Sequence, residues 1–94
     1  MEATHTTNRL TLYRKRMRLS QKQVAAILGL SNATVLSHYE RDKYRPSLER
    51  ALALEIIYRV PVAFLFPELY EGIRAEIRDK ESRMPHIFNQ LPLL

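Results

Sequence analysis

Three histidines and one serine–histidine pair are the residues of this 94-residue chain whose types first suggest chemistry. His5, His38 and His86 do not have the spacing of metal ligands, and the acidic residues do not cluster with them. Ser37 and His38 are adjacent on a predicted helix, so their side chains point about 100° apart and make a poor nucleophile–base pair. The chain has no cysteine and no phosphate-binding glycine loop. We therefore find no catalytic set, and we expect a protein that is not an enzyme and uses no metal or cofactor.

Positive charge is a stronger chemical signal, and it is unevenly distributed along the chain. The net charge is +5, but residues 1–50 hold ten Lys and Arg against four Asp and Glu, whereas residues 51–94 hold five against six. A basic half suits a polyanion such as nucleic acid, although a solvated basic surface explains the charge equally well. No apolar run approaches the ~20 residues that span a bilayer. The polar N-terminus also lacks the apolar core of a secretory signal, so we expect a cytoplasmic protein with no membrane partner.

The elements that position these charges are predicted to be helices, because the apolar residues recur at helical spacing. No long stretch alternates apolar and polar residues as a strand does. A first helix is expected over about residues 9–18. Ser20 and Gln23 then form a capping box, which predicts a second helix that begins at Gln21. Gly29 ends this helix, since glycine readily takes the left-handed conformation that closes a helix.

A third helix follows almost at once. Ser31 is the predicted cap of a helix that begins near Asn32, with Val35 and Tyr39 on its buried face. The short connection after Gly29 forces the second and third helices to cross steeply, as they do in a helix-turn-helix.

The rest of the chain is predicted to form a fourth helix capped by Ser47, a short fifth helix that begins at Pro61, and a charged helix over residues 68–83. On the fourth helix one stripe carries apolar residues and a glutamate, namely Leu48, Ala51, Leu52, Glu55 and Ile56. We divide the chain into a flexible N-terminal tail over residues 1–8, a helical domain over residues 9–69, and a C-terminal helix with an apolar tail over residues 70–94.

The segment from Gln21 to Glu40 resembles the DNA-binding helix-turn-helix of the Cro and phage-repressor family, also called the Xre family. The matching residues are a small residue in mid-helix, a glycine in the turn and two apolar residues after it: Ala25, Gly29, Leu30 and Val35. The segments 37–41 and 45–48 resemble the family's path into its fourth helix. The resemblance covers about residues 9–69. It implies an all-α, five-helix domain that binds double-stranded DNA and regulates transcription, as a repressor.

Two departures from the family pattern affect the third helix. The chain looks one residue longer than usual between Val35 and Glu40, around Leu36–His38, so the exit of the third helix is expected to shift. Asp42 stands where the family usually has glycine, and aspartate tolerates the left-handed conformation that this turn needs.

The resemblance also implies roles for individual residues of the first two helices. Arg14 is expected to pair with Glu40, which would tie the first helix to the end of the third; a solvated pair is the alternative. Gln21 is expected to bind a phosphate or a base edge at the start of the second helix, with plain capping as the alternative. Lys22 and Ser20 are weaker phosphate candidates.

The outward face of the third helix is implied to enter the major groove. The outward positions are Ser31, Asn32, Ala33, Leu36 and Ser37, with Thr34 and His38 beside them. Asn32 can make two hydrogen bonds to adenine, and Ala33 can contact a thymine methyl group. The alternative for Ser31 and Asn32 is hydrogen bonding at the helix start, and the alternative for Leu36 is packing in the core.

The loop after the third helix is implied to contact phosphate through Lys43, Tyr44 and Arg45, with a solvated loop as the alternative. Three further basic residues near the end of the first helix add long-range attraction or are merely solvated: Lys15, Arg16 and Arg18.

The C-terminal segment is more apolar than a free tail needs, which favours a homodimer on an inverted-repeat operator. The expected dimerisation residues are Ile73, Ile77, Ile87, Phe88 and Leu91. One alternative is that the tail folds back over its own core. Another is an antitoxin-type interaction module whose C-terminal tail binds a protein partner.

Overall fold

The computed structural model describes residues 8–84, which form six helices and no strand. The helices are α1 (Leu10–Arg16), α2 (Gln21–Ile27), α3 (Thr34–Glu40), α4 (Leu48–Tyr58), α5 (Val62–Leu65) and α6 (Pro67–Ser82). The fold is therefore all-α, as the apolar spacing predicts. None of the described helices has both the length and the apolar character needed to cross a membrane.

Asn8 fixes the start of α1 from a position that the sequence assigned to a flexible tail. Its Oδ1 accepts a hydrogen bond from the Leu10 amide at 3.0 Å. Its Nδ2 donates to the Tyr39 carbonyl at 2.9 Å and to Asp42 Oδ1 at 2.7 Å. The residue is only 8% exposed. The prediction of a tail over residues 1–8 is thus wrong for Asn8, and residues 1–7 lie outside the described part of the chain.

Substitution Asn8→Ala is expected to lower the free energy of unfolding by about 2–3 kcal/mol, since it removes a buried amide that accepts from Leu10 and donates to Tyr39 and Asp42. Urea denaturation measures this change. Ser47→Ala is the matched control, because Ser47 caps α4 through one exposed bond to the Arg50 amide. We expect that control to lose about 1 kcal/mol. Equal losses in the two variants would show that the long-range bonds of Asn8 contribute nothing.

The capping box predicted for α2 is present. Ser20 Oγ accepts from the Gln23 amide at 3.0 Å, and the Ser20 amide donates to Gln23 Oε1 at 2.8 Å. Gly29 takes the predicted left-handed conformation, with φ at 81°. The capping box begins α2, and Gly29 ends it and turns the chain toward α3.

The start of α3 differs from the prediction. The helix begins at Thr34, and the residue before it, Ala33, makes no side-chain cap. Asn32 Oδ1 instead accepts a hydrogen bond from the Thr34 amide at 2.9 Å. The prediction that Ser31 caps a helix beginning near Asn32 is wrong, because residues 31–33 form bends and the Asn32 side chain makes the local turn.

The core lies where α1 to α5 meet, and each of these helices contributes one fully buried residue. These are Leu10, Val24, Leu36, Leu54 and Leu65, and Tyr39 and Tyr58 complete the cluster. The amide of Arg9 donates to the Leu65 carbonyl at 2.8 Å, which joins the start of α1 to α5. The core therefore holds the two helices of the helix-turn-helix against the other three.

α4 turns a different face to the core than its sequence stripe suggests. Its buried residues are Ala51, Leu54 and Tyr58, whereas Leu48, Leu52 and Ile56 are exposed. The helix is apolar on two sides, and the stripe read from the sequence combined parts of both. Only the side that carries Ala51, Leu54 and Tyr58 packs in the core of the domain. A further difference is that Pro61 precedes α5 and does not lie inside it.

Candidate nucleic-acid interface

A buried carboxylate holds three helices in their relative positions. Glu40, at the end of α3, is 4% exposed, and Arg14 Nε lies 2.7 Å from its Oε2. Thr11 Oγ1 and Gln21 Nε2 each donate to Glu40 Oε1 at 2.9 Å. The ion pair that the family resemblance implied is therefore present, and its geometry fixes α1, the start of α2 and the end of α3 together.

The carboxylate of Glu40 and the guanidinium of Arg14 are both largely buried. Arg14 Nη1 also donates to the Leu19 carbonyl at 3.0 Å, so the guanidinium is held from two sides. Burial, and to a lesser extent the charge of Glu40, raise the pKa of the Tyr58 hydroxyl well above its usual value. That hydroxyl has no hydrogen-bond partner within residues 8–84. Glu40 and Arg14 are thus structural residues behind the α2–α3 surface and are not part of it.

The outward side of the α3 segment carries small polar side chains. Ser31, Asn32 and Thr34 are exposed, and Ala33 and Ser37 are partly exposed. A shallow open cleft lies between α2 and α3, lined by Gln21, Ala33, Thr34, Ser37 and Arg41. We call this surface the α3 reading cleft. The structure thus brings together four of the residues that the sequence assigned to DNA contact.

Two of the predicted contact residues already use part of their hydrogen-bonding capacity. Asn32 Oδ1 accepts from the Thr34 amide, which is the helix-start alternative; its Nδ2 has no acceptor in the described part of the chain. Gln21 makes the bond to Glu40 described above, so plain capping is not its role. The amide of Gln21 is thereby held in one orientation at the edge of the reading cleft.

Leu36 does not face outward. It is 0% exposed and belongs to the core cluster, so its expected place among the contact residues is wrong. Val35, expected on the buried face, is only partly buried. The physical reason is that α3 packs through Leu36, Tyr39 and Glu40, which lie three and four residues apart on one side of the helix.

His38 is turned toward the loop that follows α3. Its Nδ1 lies 2.7 Å from the Tyr44 hydroxyl, and the two rings meet edge to face with centroids 5.0 Å apart. Tyr44 also meets the Tyr39 ring at 5.9 Å. These contacts place the loop against the end of α3, with Asp42 in the predicted left-handed conformation at φ 60°. Lys43, Tyr44 and Arg45 are exposed there.

Basic side chains around this surface are left without carboxylate partners. Within residues 8–84 the ion pairs are Arg14–Glu40 and four pairs along α6. Seven exposed cations of the first half of the chain therefore have no carboxylate partner in the described residues: Lys15, Arg16, Arg18, Lys22, Arg41, Lys43 and Arg45. Such a group attracts a polyanion from a distance.

Arg41 is a residue that reasoning from the sequence missed. A signal for it existed, because Thr34, Ser37 and Arg41 follow one another at positions i, i+3 and i+7, which share one face of a helix. The bond from Gln21 to Glu40 carried no comparable signal, since it joins residues 19 positions apart.

The predicted dimerisation residues divide into two groups. Ile73 and Ile77 are exposed on α6. Ile87, Phe88 and Leu91 lie outside the described residues, as does the tail for which a protein partner was predicted. In the described part of the chain no three His, Asp or Glu side chains are grouped so that they could hold a metal ion.

Comparison with protein families agrees with this geometry. A family model described as helix-turn-helix matches residues 10–65, which run from the first residue of α1 to the last residue of α5. No curated protein and no solved structure matches the chain.

Proposed function

Because the chain belongs to the Cro and phage-repressor family of helix-turn-helix DNA-binding regulators, we propose that it represses transcription as a homodimer on an inverted-repeat operator. Each subunit reads one half-site, and the half-site centres lie about one helical turn apart, roughly 10 base pairs. The reading element is α3 with the bend before it.

The observation that carries this proposal is the α3 reading cleft. Its walls come from two helices, its side chains are small and polar, and Arg41 lies at its far end. A major groove admits an α-helix, and short hydroxyl side chains such as Thr34 and Ser37 reach base edges only when the helix enters the groove closely. Ser31, Asn32 and Ala33 precede them on the same exposed surface.

Gln21 can contact DNA through both ends of its amide. Its Nε2 donates one hydrogen bond to Glu40, which leaves its second N–H as a donor and its Oε1 as an acceptor. The N–H suits a phosphate oxygen or an acceptor on a base edge, and Oε1 suits the amino group of adenine or cytosine. We therefore assign Gln21 to a base edge or a phosphate, and Lys22 beside it to the phosphates.

The loop residues Lys43, Tyr44 and Arg45 are assigned to the sugar–phosphate backbone. They are exposed, and the packing of Tyr44 on His38 and Tyr39 holds them at the end of α3. His38 then acts as a support for the loop, with its ring nitrogen engaged by Tyr44. Contacts of this kind fix the position of the protein on the duplex without reading sequence.

Selection of bound duplexes from a random pool, followed by binding measurements at several salt concentrations, tests the proposed function. We expect one enriched inverted repeat, and for that duplex an affinity at least about 10³-fold above that for a scrambled duplex. Both affinities should fall steeply with salt, because phosphate contacts release counterions. A pool that shows no enrichment, with equal affinity for every duplex, would contradict sequence-specific regulation.

A further inference from the structure

α6 is a long helix that the domain does not bury. It spans sixteen residues, and none of them is buried. Its apolar side chains nevertheless form one line, with Tyr70, Ile73 and Ile77 followed by Met84 directly after the helix, each between 44% and 51% exposed. With Lys80 included, the positions 70, 73, 77, 80 and 84 follow one another in alternating steps of three and four residues. This seven-residue period is the pattern by which two helices pack against each other.

We propose that α6 pairs with α6 of a second copy in antiparallel orientation, with Ile77 opposite Lys80 and Ile73 opposite Met84. The proposal rests on the homodimer of the proposed function and specifies the surface, orientation and register of its interface.

Charge complementarity selects this arrangement. Arg74 and Glu81 lie on one flank of the apolar line, and Glu76 and Arg83 lie on the other. In antiparallel helix pairs, equivalent flanks face each other. The proposed register therefore sets Arg74 against Glu81 of the second copy, and Glu76 against Arg83 of the second copy. The two-fold axis repeats both pairs, so four ion pairs border the apolar seam.

The competing arrangements bring like charges together. In a parallel pair, Glu76 approaches Glu81 of the second copy and the two Lys80 side chains meet in the seam. A shift of the antiparallel pair by one seven-residue period sets either Arg74 against Arg74 and Glu76 against Glu76, or Glu81 against Glu81 and Arg83 against Arg83. Like charges at such positions are unfavourable, so only the proposed register matches opposite signs on both flanks.

The flanking charged side chains can leave their partners on the same helix and pair with the second copy. Arg74 lies 3.6 Å from Glu71, and Arg83 lies 3.0 Å from Asp79, on the open surface of their own helix. Exposed pairs of this kind contribute little, so their side chains can rotate toward or share a partner across the seam. Lys80 can lay its aliphatic stem on Ile77 of the second copy while its ammonium group stays beside Glu76 at 3.3 Å.

The proposed seam borders an apolar groove between α4, α5 and α6. Leu48, Val62, Phe66, Tyr70 and Ile73 are among the residues that line it. The proposed register sets Met84 of the second copy against Ile73, at one edge of this groove, so the interface between the copies reaches that edge.

Disulfide trapping tests orientation and register directly. The chain has no cysteine, so Ile73→Cys and Met84→Cys variants of the full chain each carry one thiol. We expect a covalent dimer when the two variants are mixed and oxidised, and none from either alone. In the proposed register two copies of the same position are offset by eleven residues, roughly 16 Å, whereas a disulfide needs Cα atoms within about 7 Å. Cross-linking of each variant with itself but not with the other would overturn the proposal.

Charge reversal tests the flanks. Arg74→Glu sets glutamate against Glu81 of the second copy, and we expect the dimer dissociation constant in sedimentation equilibrium to rise about tenfold or more. The double variant Arg74→Glu/Glu81→Arg should return to within about threefold of the native value. Arg59→Glu is the matched control, because it also changes the charge by two, at an exposed residue at the end of α4 that makes no ion pair within residues 8–84.

Equal effects of Arg74→Glu and Arg59→Glu, or a double variant no better than the single one, would overturn the antiparallel pairing. The proposed function is tested separately by offering the Arg74→Glu protein a pool of random duplexes. Preference for a single half-site sequence in a variant that no longer dimerises shows that reading and pairing are separate properties. A native protein that selects a sequence but stays monomeric at micromolar concentration contradicts only the pairing.

Discussion

Replacing Glu40 with alanine is expected to lower the free energy of unfolding by about 3–5 kcal/mol, which is a large part of the total stability of a small domain. The carboxylate is 4% exposed and accepts hydrogen bonds from Thr11, Arg14 and Gln21. Its removal leaves the Arg14 guanidinium, itself 11% exposed, without a counter-charge. The loss of one partner of a buried ion pair costs more than the pair contributes.

Chemical denaturation of three variants measures this effect. Glu49→Ala is the control, because Glu49 is exposed in the first turn of α4 and makes no ion pair within residues 8–84, and we expect it to change stability by less than about 1 kcal/mol. Arg14→Met/Glu40→Leu removes both charges and should lose less than Glu40→Ala alone. Comparable stability of Glu40→Ala and Glu49→Ala would show that the buried network does not hold the three helices together.

Replacing Arg41 with alanine is expected to weaken binding to the selected operator by about tenfold to a hundredfold, the usual cost of losing one good arginine contact in a groove. Arg41 is exposed at the end of the α3 reading cleft, and within residues 8–84 no carboxylate lies in ion-pair distance of it. The guanidinium is therefore exposed to solvent, and its charge is available to DNA.

Binding isotherms at fixed salt measure this loss, and its origin is read from the salt dependence. If Arg41 contacts a phosphate, the loss should be similar on all duplexes, and the slope of log affinity against log salt concentration should fall in magnitude by about 0.9. If Arg41 contacts a base, the preference should relax at one position of each half-site. Arg78→Ala is the control, since it removes the same charge from the exposed side of α6. Equal losses for Arg41→Ala and Arg78→Ala would remove Arg41 from the interface.

Features that depend on short stretches of chain were predictable from the sequence. The capping box of Ser20 and Gln23, the left-handed Gly29 and the left-handed Asp42 all use partners or backbone preferences within a few residues. The pairing of Arg14 with Glu40 joins distant residues and came from the family resemblance alone, because neither composition nor spacing contains it.

Features that depend on distant partners were not predictable. Asn8 bonds to residues 31 and 34 positions away, so its own sequence context looked like a tail. The outward register of α3 was wrong at Leu36 because two adjacent apolar residues compete for one buried position. Leu36 is buried because it shares a face with Tyr39 and Glu40, whose long-range contacts do not appear in the local sequence.

The same limit applies to helices that are apolar on more than one side. α4 could turn either Leu48, Leu52 and Ile56 or Ala51, Leu54 and Tyr58 toward the core, and the periodicity of the sequence does not distinguish them. α6 shows the opposite case, since its period is clear but its partner lies outside the domain. A period identifies a face, and the surrounding elements decide what covers it.

The central claim is that the small polar side chains before and along α3 read base edges. The most direct measurement repeats the selection from random duplexes with Asn32→Ala, Thr34→Ala and Ser37→Ala, beside Ser82→Ala as a control on α6. We predict that Ser82→Ala returns the native sequence, while the α3 variants relax or change the preference at symmetric positions of the two half-sites. If all three α3 variants return the native sequence at every position, α3 is not the reading helix.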